Sequence, residues 1–526
     1  MVTTPHAPEV FHIYDTTLRD GAQQEGLRLS VADKLRMAGC LDRLGVTFIE
    51  GGWPGANPSD TEFFQRARTE LDLQHATLAA FGSTRRAGAT AATDPQVQAL
   101  VDSEAPVVCL VAKSHDRHVT DALKTTLEEN LAMVTDTVSH LVEQGRRVFV
   151  DCEHFFDGYR ANPAYALEVV RAAAEAGAEV VVLCDTNGGM LPEDMGEIVS
   201  AVGEVGVGLG IHCHNDSGCA VANSLAAVSA GVMHVQGTVN GYGERTGNAD
   251  LVSVLANMQL KYGWDLVPDS CLADATAVCH EIAEITNVQL PGRQPYVGSS
   301  AFAHKAGLHA SAIKVDANMY QHIEPELVGN SMRMLISDMA GRANIQLKGA
   351  ELGFDLSDRE VAARITTTVK QRESVGYSYE ASDASFELLL RDELGVLELP
   401  FHILDWDVAV RAGRDGKDST SASVTVSVAG QEASADASGN GPVNALDHAL
   451  RTVLEPMLPR VGDFELTDYR VRILEQGHGT DATVRVLIDT TDGPHAWTTV
   501  GVGENVIEAS WEALADAYAF GLIRHA

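Results

Sequence analysis

The sequence is poor in basic residues. It has 38 lysines and arginines against 73 aspartates and glutamates, which gives a formal net charge of −35 and a pI near 4.8. A chain this acidic lacks a general electrostatic attraction to nucleic acids or to anionic membranes. It also lacks any run of about 18 consecutive apolar residues, which a membrane-spanning helix needs. We therefore expect neither a nucleic-acid partner nor a membrane partner.

Several short motifs are also missing. None of the eight cysteines forms a Cys-x-x-Cys pair, which indicates reduced, mostly buried thiols in a cytoplasmic protein. Met1–Val10 has no basic segment followed by an apolar stretch, so no secretory signal is expected. The sequence has no Walker A motif, no Gly-x-Gly-x-x-Gly after its first predicted strand and no Gly-x-Ser-x-Gly. ATP binding, NAD binding and serine-hydrolase chemistry of the α/β type are therefore not indicated.

The first 260 residues alternate short apolar runs rich in β-formers with longer segments of helical spacing. Eight strand–helix units in about 250 residues are typical of a (β/α)8 TIM barrel, and an open doubly wound sheet is the alternative. The helical segment Ser30–Leu44 begins with a serine cap, and Asn162–Ala176 carries a proline in its first turn. The predicted strands are Phe11–Leu18, Val46–Gly52, His75–Gly82, Pro106–Ala112, Val148–His154, Val180–Thr186, Leu209–Asn215 and Val235–Gly243.

The remainder of the chain has two further parts. Residues 264–395 are mostly helical in pattern. Residues 396–526 contain a weak repeat, in which predicted strands Thr420–Ala429, Thr483–Asp489 and Thr498–Val502 accompany predicted helices Gly439–Leu454 and Asn505–Ala517. The predicted fold class is therefore α/β: a TIM-barrel catalytic domain over residues 1–263, a helical linker subdomain over 264–395 and a C-terminal α/β domain over 396–526.

A candidate metal site lies at the ends of the predicted barrel strands, where the catalytic groups of barrels are found. His212 and His214 alternate on one strand and therefore share a face. Asp20 follows the first strand, which closes the ring beside the eighth. Two imidazoles and one carboxylate are a common ligand set for a divalent cation, whereas a lone His-x-His is more often structural.

Other polar residues at strand ends have two interpretations each. Arg19 is either an ion-pair partner or a fixed cation that stabilises a developing oxyanion. Glu153 is either a barrel-mouth salt bridge or a proton acceptor. The hydroxyl of Thr186 either binds a substrate carboxylate or caps the following helix. The loop that carries Trp53 is either a tight turn or a wall of the substrate pocket.

Three of these motifs together resemble a known enzyme group. They are Asp15-Thr-Thr-Leu-Arg-Asp-Gly, His212-Cys-His-Asn-Asp and Gly243-Glu-Arg-Thr-Gly-Asn. The group is the DRE-type TIM-barrel metal-dependent acyltransferases and lyases. Within it the chain is similar, over nearly its whole length, to the family of 2-isopropylmalate, homocitrate and citramalate synthases. Gly51-Gly-Trp-Pro-Gly-Ala-Asn-Pro and His304-Lys-Ala-Gly-Leu-His-Ala-Ser, followed by the segment from Tyr320, support this similarity.

The resemblance assigns roles to individual residues. It implies that Asp20, His212, His214 and Asn248 bind a divalent cation (Mg²⁺, Mn²⁺ or Zn²⁺), and it places Arg19 beside the 2-oxo group. It further implies Thr186 at the substrate carboxylate and Glu153 near the acetyl group. His309 and Tyr320 fall on residues that in relatives reach into a neighbouring subunit's barrel, and the group that removes a proton is left open.

The resemblance also implies an activity. The expected reaction is condensation of acetyl-CoA with pyruvate, followed by thioester hydrolysis to citramalate, in the synthesis of isoleucine. The alternatives are the same chemistry on a larger 2-oxo acid, a retro-aldol lyase, and a catalytically inactive barrel that senses an amino acid. The C-terminal domain resembles a regulatory domain, so we expect an amino-acid effector and a homodimer.

Overall fold

The computed structural model describes residue 5 and residues 8–337, 339–412, 418–474 and 482–525. The chain divides into two compact units. The first comprises residues 1–302 and 323–331, and the second comprises residues 303–322 and 332–526. The domain boundaries predicted after residues 263 and 395 subdivide the chain more finely than this, and they stay predictions.

The first unit is built on a closed barrel of eight strands in sequence order, as predicted. All its strand pairs are parallel, and β1 closes the ring against β8. Each observed strand overlaps its predicted run. The strands are β1 (His12–Asp15), β2 (Phe48–Gly52), β3 (Thr77–Ser83), β4 (Val107–Lys113), β5 (Arg147–Glu153), β6 (Val180–Asp185), β7 (Gly208–Cys213) and β8 (His234–Gly237).

Helices follow the strands, and their starts agree with the local sequence. Ser30 and Asp33 form a capping box at the first helix, and the Asn162 side chain accepts from the Tyr165 N–H at the sixth. The helices of this unit are α1 (Val31–Arg43), α2 (Pro58–Glu70), α3 (Pro95–Asp102), α4 (Leu127–Glu143), α5 (Phe155–Ala161), α6 (Pro163–Glu175), α7 (Pro192–Gly203), α8 (Ala220–Ser229), α9 (Leu251–Asn257), α10 (Asp269–Ala273) and α11 (Ala275–Thr286).

The barrel has two separate apolar layers. The larger one lies between strands and helices and includes Leu41, Val150 and Leu183. The second contains interior side chains of the strands, with Tyr14, Phe48 and Phe149 among its fully buried members. Because the interior is filled in this way, open space for a ligand remains at the strand ends rather than along the barrel axis.

The second unit contains a helical region and a repeated α/β module. The helical region has α12 (Gly307–Ile313), α13 (Arg342–Glu351), α14 (Arg359–Ser374) and α15 (Asp383–Glu393), with the short strands β9 (Ala303–His304) and β10 (Arg333–Met334). The module consists of two three-stranded antiparallel sheets, each followed by a helix. They are β11 (His402–Ala412), β12 (Asp418–Val428), β13 (Gln431–Gly439) and α16 (Pro442–Leu454), then β14 (Glu465–Ile473), β15 (Val484–Thr491), β16 (Ala496–Gly503) and α17 (Val506–Arg524).

Each repeat therefore has more strands than the sequence pattern predicted, since β11, β13 and β14 were not anticipated. A register shift between Ile403 and Asp405 interrupts the alternation of β11, and one between Leu466 and Asp468 does the same in β14. β13 turns alanines rather than large side chains toward the module core, so it carries little hydrophobic signal. In the described part of the chain, no helix is long and apolar enough to cross a membrane.

Candidate active site

One cavity of about 280 Å³ lies at the carboxyl ends of the barrel strands. It collects the predicted polar residues from strands that are far apart in sequence. The residues lining it are Arg19, Asp20, Gln23, Trp53, Phe81, Val111, Asp151, Glu153, Cys184, Thr186, His212, His214, Glu244 and Arg245.

Asp20, His212 and His214, the candidate metal ligands, form a compact donor cluster. Their potential ligand atoms all lie within 4.8 Å of one another. Asp20 Oδ2 is 3.5 Å from His212 Nε2 and 4.0 Å from His214 Nε2. The two imidazole Nε2 atoms face each other at 3.3 Å. Two ring nitrogens so close require a shared proton or a cation between them, because bare lone pairs repel.

Asn248 lies beside this cluster. Its amide Nδ2 donates to the Tyr242 carbonyl at 3.0 Å and is 3.4 Å from Asp20 Oδ1. Its Oδ1 is buried and has no hydrogen-bond partner among the described residues. A buried acceptor without a partner is costly unless a ligand satisfies it. The donor set of one carboxylate and two imidazoles therefore fits a divalent cation, and Asn248 lies beside this set with its NH₂ group toward Asp20.

The electrostatics keep two of these donors unprotonated. Burial would raise the pKa of Asp20, but Arg19 and the two histidines outweigh it and lower that pKa to about 2. Burial, together with neighbouring His212, lowers the pKa of His214 to about 4. At neutral pH the carboxylate is therefore charged and the His214 imidazole is neutral, which are the forms that bind cations.

Arg19 is fixed by contacts on several sides. Its Nε donates to Glu50 Oε2 at 2.5 Å, and its Nη1 donates to Asp20 Oδ2 at 3.1 Å. Its guanidinium carbon lies 3.8 Å from the centre of the Phe81 ring. Glu50 is fully buried and also accepts from the Tyr14 hydroxyl at 2.8 Å. The ion-pair interpretation of Arg19 is thus correct. The same contacts hold the positively charged guanidinium rigidly at the cavity.

Glu153 and Thr186 lie at neighbouring strand ends. Glu153 is ion-paired with Lys113, so the salt-bridge interpretation is correct as a statement of geometry. Thr186 Oγ1 accepts from the His154 N–H at 2.8 Å. Its helix-capping interpretation is wrong, because α7 begins at Pro192 with Leu191 at its cap position.

Trp53 forms a wall of the cavity. Its indole Nε1 donates to Gln96 Oε1 at 2.9 Å, which fixes the ring. The ring contacts Phe81 edge to face, with the centroids 5.3 Å apart. Because Phe81 also contacts Arg19, these three side chains form one continuous side of the cavity.

His309 and Tyr320 belong to the second unit. His309 is on α12, and Tyr320 follows the short helix Ala317–Met319. Their rings stack with centroids 4.1 Å apart. The two residues therefore form a pair, but they are not among the residues that line the barrel cavity.

Three buried polar residues of the site were not predicted: Glu50, Asp151 and Gln236. Each interrupts an apolar strand, in Phe-Ile-Glu, Val-Phe-Val-Asp and His-Val-Gln. Burial raises the pKa of Glu50 and of Asp151, and the charge of Arg19 opposes this in both. A charged or amide side chain inside an apolar strand could have indicated these positions, since a buried polar group needs a hydrogen-bond partner.

Comparison with known proteins identifies the family of this chain. Residues 10–288 match the family described as HMGL-like, residues 296–376 match the homocitrate synthase post-HMGL domain-like family, and residues 380–522 match the LeuA allosteric (dimerisation) domain. The chain is 62% identical to an (R)-citramalate synthase of Streptomyces coelicolor, over 100% of this chain and 99% of that protein. It is 50% identical to an (R)-citramalate synthase of Aquifex aeolicus, over 98% of both.

The chain belongs to the citramalate synthase family. It is thus an acyltransferase of the HMGL-like type, as the motifs predicted. Among solved structures, the crystal structure of the HMG-CoA lyase of Bacillus subtilis is 18% identical with a TM-score of 0.47, and the match covers 55% of this chain and 97% of the lyase.

Proposed function

We propose that the protein condenses acetyl-CoA with pyruvate and hydrolyses the thioester to release citramalate. The observation that carries this proposal is the single cavity in which cation donors, a fixed guanidinium, a hydroxyl and a carboxylate meet. In the reaction, the acetyl methyl loses a proton and its carbon bonds to the ketone carbon of pyruvate. The ketone oxygen takes up a proton, and water then cleaves the thioester and frees the thiol.

Asp20, His212 and His214, with Asn248 beside them, would hold Mg²⁺, Mn²⁺ or Zn²⁺. A bound divalent cation makes a ketone more electrophilic and neutralises negative charge that develops on its oxygen. The protein contributes by holding three donors within a few ångströms and by keeping Asp20 and His214 unprotonated.

Arg19 would bind the 2-oxo group and stabilise the oxyanion. Because Glu50 fixes its Nε and Phe81 covers one face, the guanidinium does not have to reorganise during the reaction. Preorganised charge of this kind is the largest single contribution in many enzymes. Thr186, at the end of β6, would donate to the pyruvate carboxylate.

The proton acceptor would be the carboxylate of Glu153, which lines the cavity and is paired with Lys113. His309 and Tyr320 are the second candidates for proton transfer, as residues that a neighbouring subunit would supply. The two assignments differ in their consequence: Glu153→Gln alone abolishes turnover under the first, and His309→Asn alone does so under the second.

The module over residues 396–526 would regulate the enzyme and form a homodimer. Its match to an allosteric dimerisation domain supports this proposal, and isoleucine is the expected effector. Initial rates with isoleucine, and with leucine and lysine as controls, test the effector.

All eight cysteines are free thiols, which supports a reducing, cytoplasmic location.

The test of the activity is free-thiol release from acetyl-CoA with pyruvate, 2-oxoisovalerate and 2-oxoglutarate, with the products identified by mass. We expect citramalate from pyruvate as the fastest reaction. Faster turnover of 2-oxoisovalerate would instead assign the chain to 2-isopropylmalate synthesis, and no thiol release from any acid would refute the proposed activity.

A further inference from the structure

A chain of buried hydrogen bonds leads from His212 to the opposite side of the barrel. His212 Nδ1 is 2.8 Å from Gln236 Oε1, and the two residues are direct partners in the β7–β8 ladder. Gln236 Nε2 donates to Asp151 Oδ1, on β5, at 2.9 Å. Cys109 Sγ, on β4, donates to the same oxygen at 3.2 Å. All four side chains are buried.

Asp151 determines how the Gln236 amide points. Asp151 Oδ1 accepts from both Gln236 Nε2 and Cys109 Sγ, so the NH₂ group of Gln236 faces Asp151. The carbonyl oxygen of Gln236 then faces His212, and only an N–H at His212 Nδ1 can satisfy it. The His212 lone pair is therefore at Nε2, on the side of Asp20 and His214.

The second imidazole has no comparable support. His214 Nδ1 is buried and has no hydrogen-bond partner among the described residues. Asp20, by contrast, is held by Arg19 at one carboxylate oxygen and by Asn248 at the other. Of the two histidines in the donor cluster, His212 is thus the one whose ring and tautomer the surrounding residues fix.

We propose that Gln236 and Asp151 are positioning residues, which hold His212 in the tautomer that presents Nε2 to the cation; this rests on the cation site proposed above. Neutral imidazole has two tautomers, and a partner at one nitrogen selects between them. Loss of such a partner typically weakens metal affinity 10- to 100-fold. Asp151 acts through Gln236, because without it the amide is free to turn its NH₂ group toward His212.

The test measures the affinity of the metal-free protein for Mn²⁺, by titration followed by electron paramagnetic resonance. Gln236→Met keeps the length of the side chain and removes the acceptor, and we expect its Kd for Mn²⁺ to rise roughly 10- to 100-fold. Asp151→Asn keeps an oxygen that accepts from Gln236, so we expect a change below about threefold. Gln236→Leu tests the same contact if the methionine variant does not fold.

Gln259→Met is the matched control. Gln259 is also a buried glutamine whose Nε2 binds a carboxylate, that of Asp269 at 3.2 Å, but it lies on the segment after α9, away from the cavity. We expect the two glutamine variants to lose similar thermal stability, and only Gln236→Met to lose Mn²⁺ affinity.

The outcomes separate this proposal from the cation site itself. An unchanged Kd in Gln236→Met, with the wild type binding one Mn²⁺ per chain, overturns the positioning role alone. Equal losses in Gln236→Met and Gln259→Met overturn it too, because they indicate a general effect of destabilisation. Failure of the wild type to bind Mn²⁺, or full binding by His212→Ala, overturns the cation site.

Discussion

Arg19 and Glu50 form a buried ion pair in which the guanidinium Nε lies 2.5 Å from the carboxylate Oε2. The carboxylate is fully buried, so the pair is held in low dielectric and is poorly screened by salt. Glu50 accepts from Nε only, and Nη1 of the same guanidinium donates to Asp20. The pair explains how a flexible side chain becomes a fixed cation at the cavity.

Removal of the Arg19 guanidinium is expected to slow turnover strongly. For Arg19→Ala we expect kcat to fall about 10²- to 10³-fold, with a smaller change in the KM for acetyl-CoA, because in the proposed reaction the charge would meet an oxyanion that forms only during turnover. Arg19→Lys should not restore the rate, since a point charge cannot contact Glu50 and Asp20 as a planar fork does. Steady-state thiol release measures both. The exposed Arg86→Ala is the control, and near-normal kcat in Arg19→Ala would leave Arg19 with a structural role only.

Removal of one imidazole from the donor cluster should abolish turnover, and added divalent cation should not restore it. Chelation of the wild type should stop thiol release, and added Mg²⁺ or Mn²⁺ should restore it. His214→Ala should be inactive with or without added cation and should remain folded, because His214 lies at a strand end outside the apolar layers. His140→Ala, on α4, is the matched control. A fully active His214→Ala protein would contradict the ligand assignment.

The cavity wall should govern the choice of 2-oxo acid. We expect Trp53→Ala to reduce the preference in kcat/KM for pyruvate over 2-oxoisovalerate by about tenfold or more, since the two acids differ by two methyl groups and each is worth roughly 1–3 kcal/mol in a fitted pocket. Gln96→Leu, which releases the indole without removing it, should have a smaller effect. An unchanged preference in Trp53→Ala would show that other residues select the substrate.

Asp516 on α17 should make the second unit less stable as the pH rises. Burial, with Glu512 nearby, raises the pKa of Asp516 to about 7. The folded state therefore binds more protons than the unfolded state between about pH 4 and pH 7, and the stability contributed by the protonated carboxyl is lost as the pH rises through this window.

For Asp516→Asn we therefore expect the Tm to rise relative to that of the wild type as the pH increases from 5 to 8. Thermal unfolding followed by circular dichroism measures the difference, with the exposed Asp405→Asn as the charge-matched control. A Tm difference that stays constant over this range would contradict the raised pKa of about 7 for Asp516.

A chain that ends at residue 400 should not fold like the full chain. Phe386, Leu389 and Leu390 of α15 share an apolar cluster with Val500 of β16, and the Val500 N–H donates to Ser385 Oγ at 2.9 Å. Truncation at residue 400 exposes these residues, so we expect aggregation in size-exclusion chromatography. A monodisperse truncated protein with wild-type helix content would show instead that α15 is stable without the module.

Much of the barrel is predictable because its signals are local. Alternation of apolar runs with helical segments identifies all eight strands, and the side-chain caps at Ser30 and Asn162 identify helix starts. The pairing of His212 with His214 on one face follows from the two-residue period of a strand. In the C-terminal module, the same signals failed where register shifts and small residues removed the alternation.

The sequence by itself determined which residue types stand at the strand ends, and the tertiary structure decided which of them meet. Glu50 reaches Arg19 from 31 residues away, and Asp151 reaches Gln236 from 85 residues away. Such contacts depend on closure of the ring and on the register between strands, which no local pattern encodes. The fixed guanidinium and the oriented imidazole are therefore properties of the closed barrel, because each needs a partner supplied by another strand.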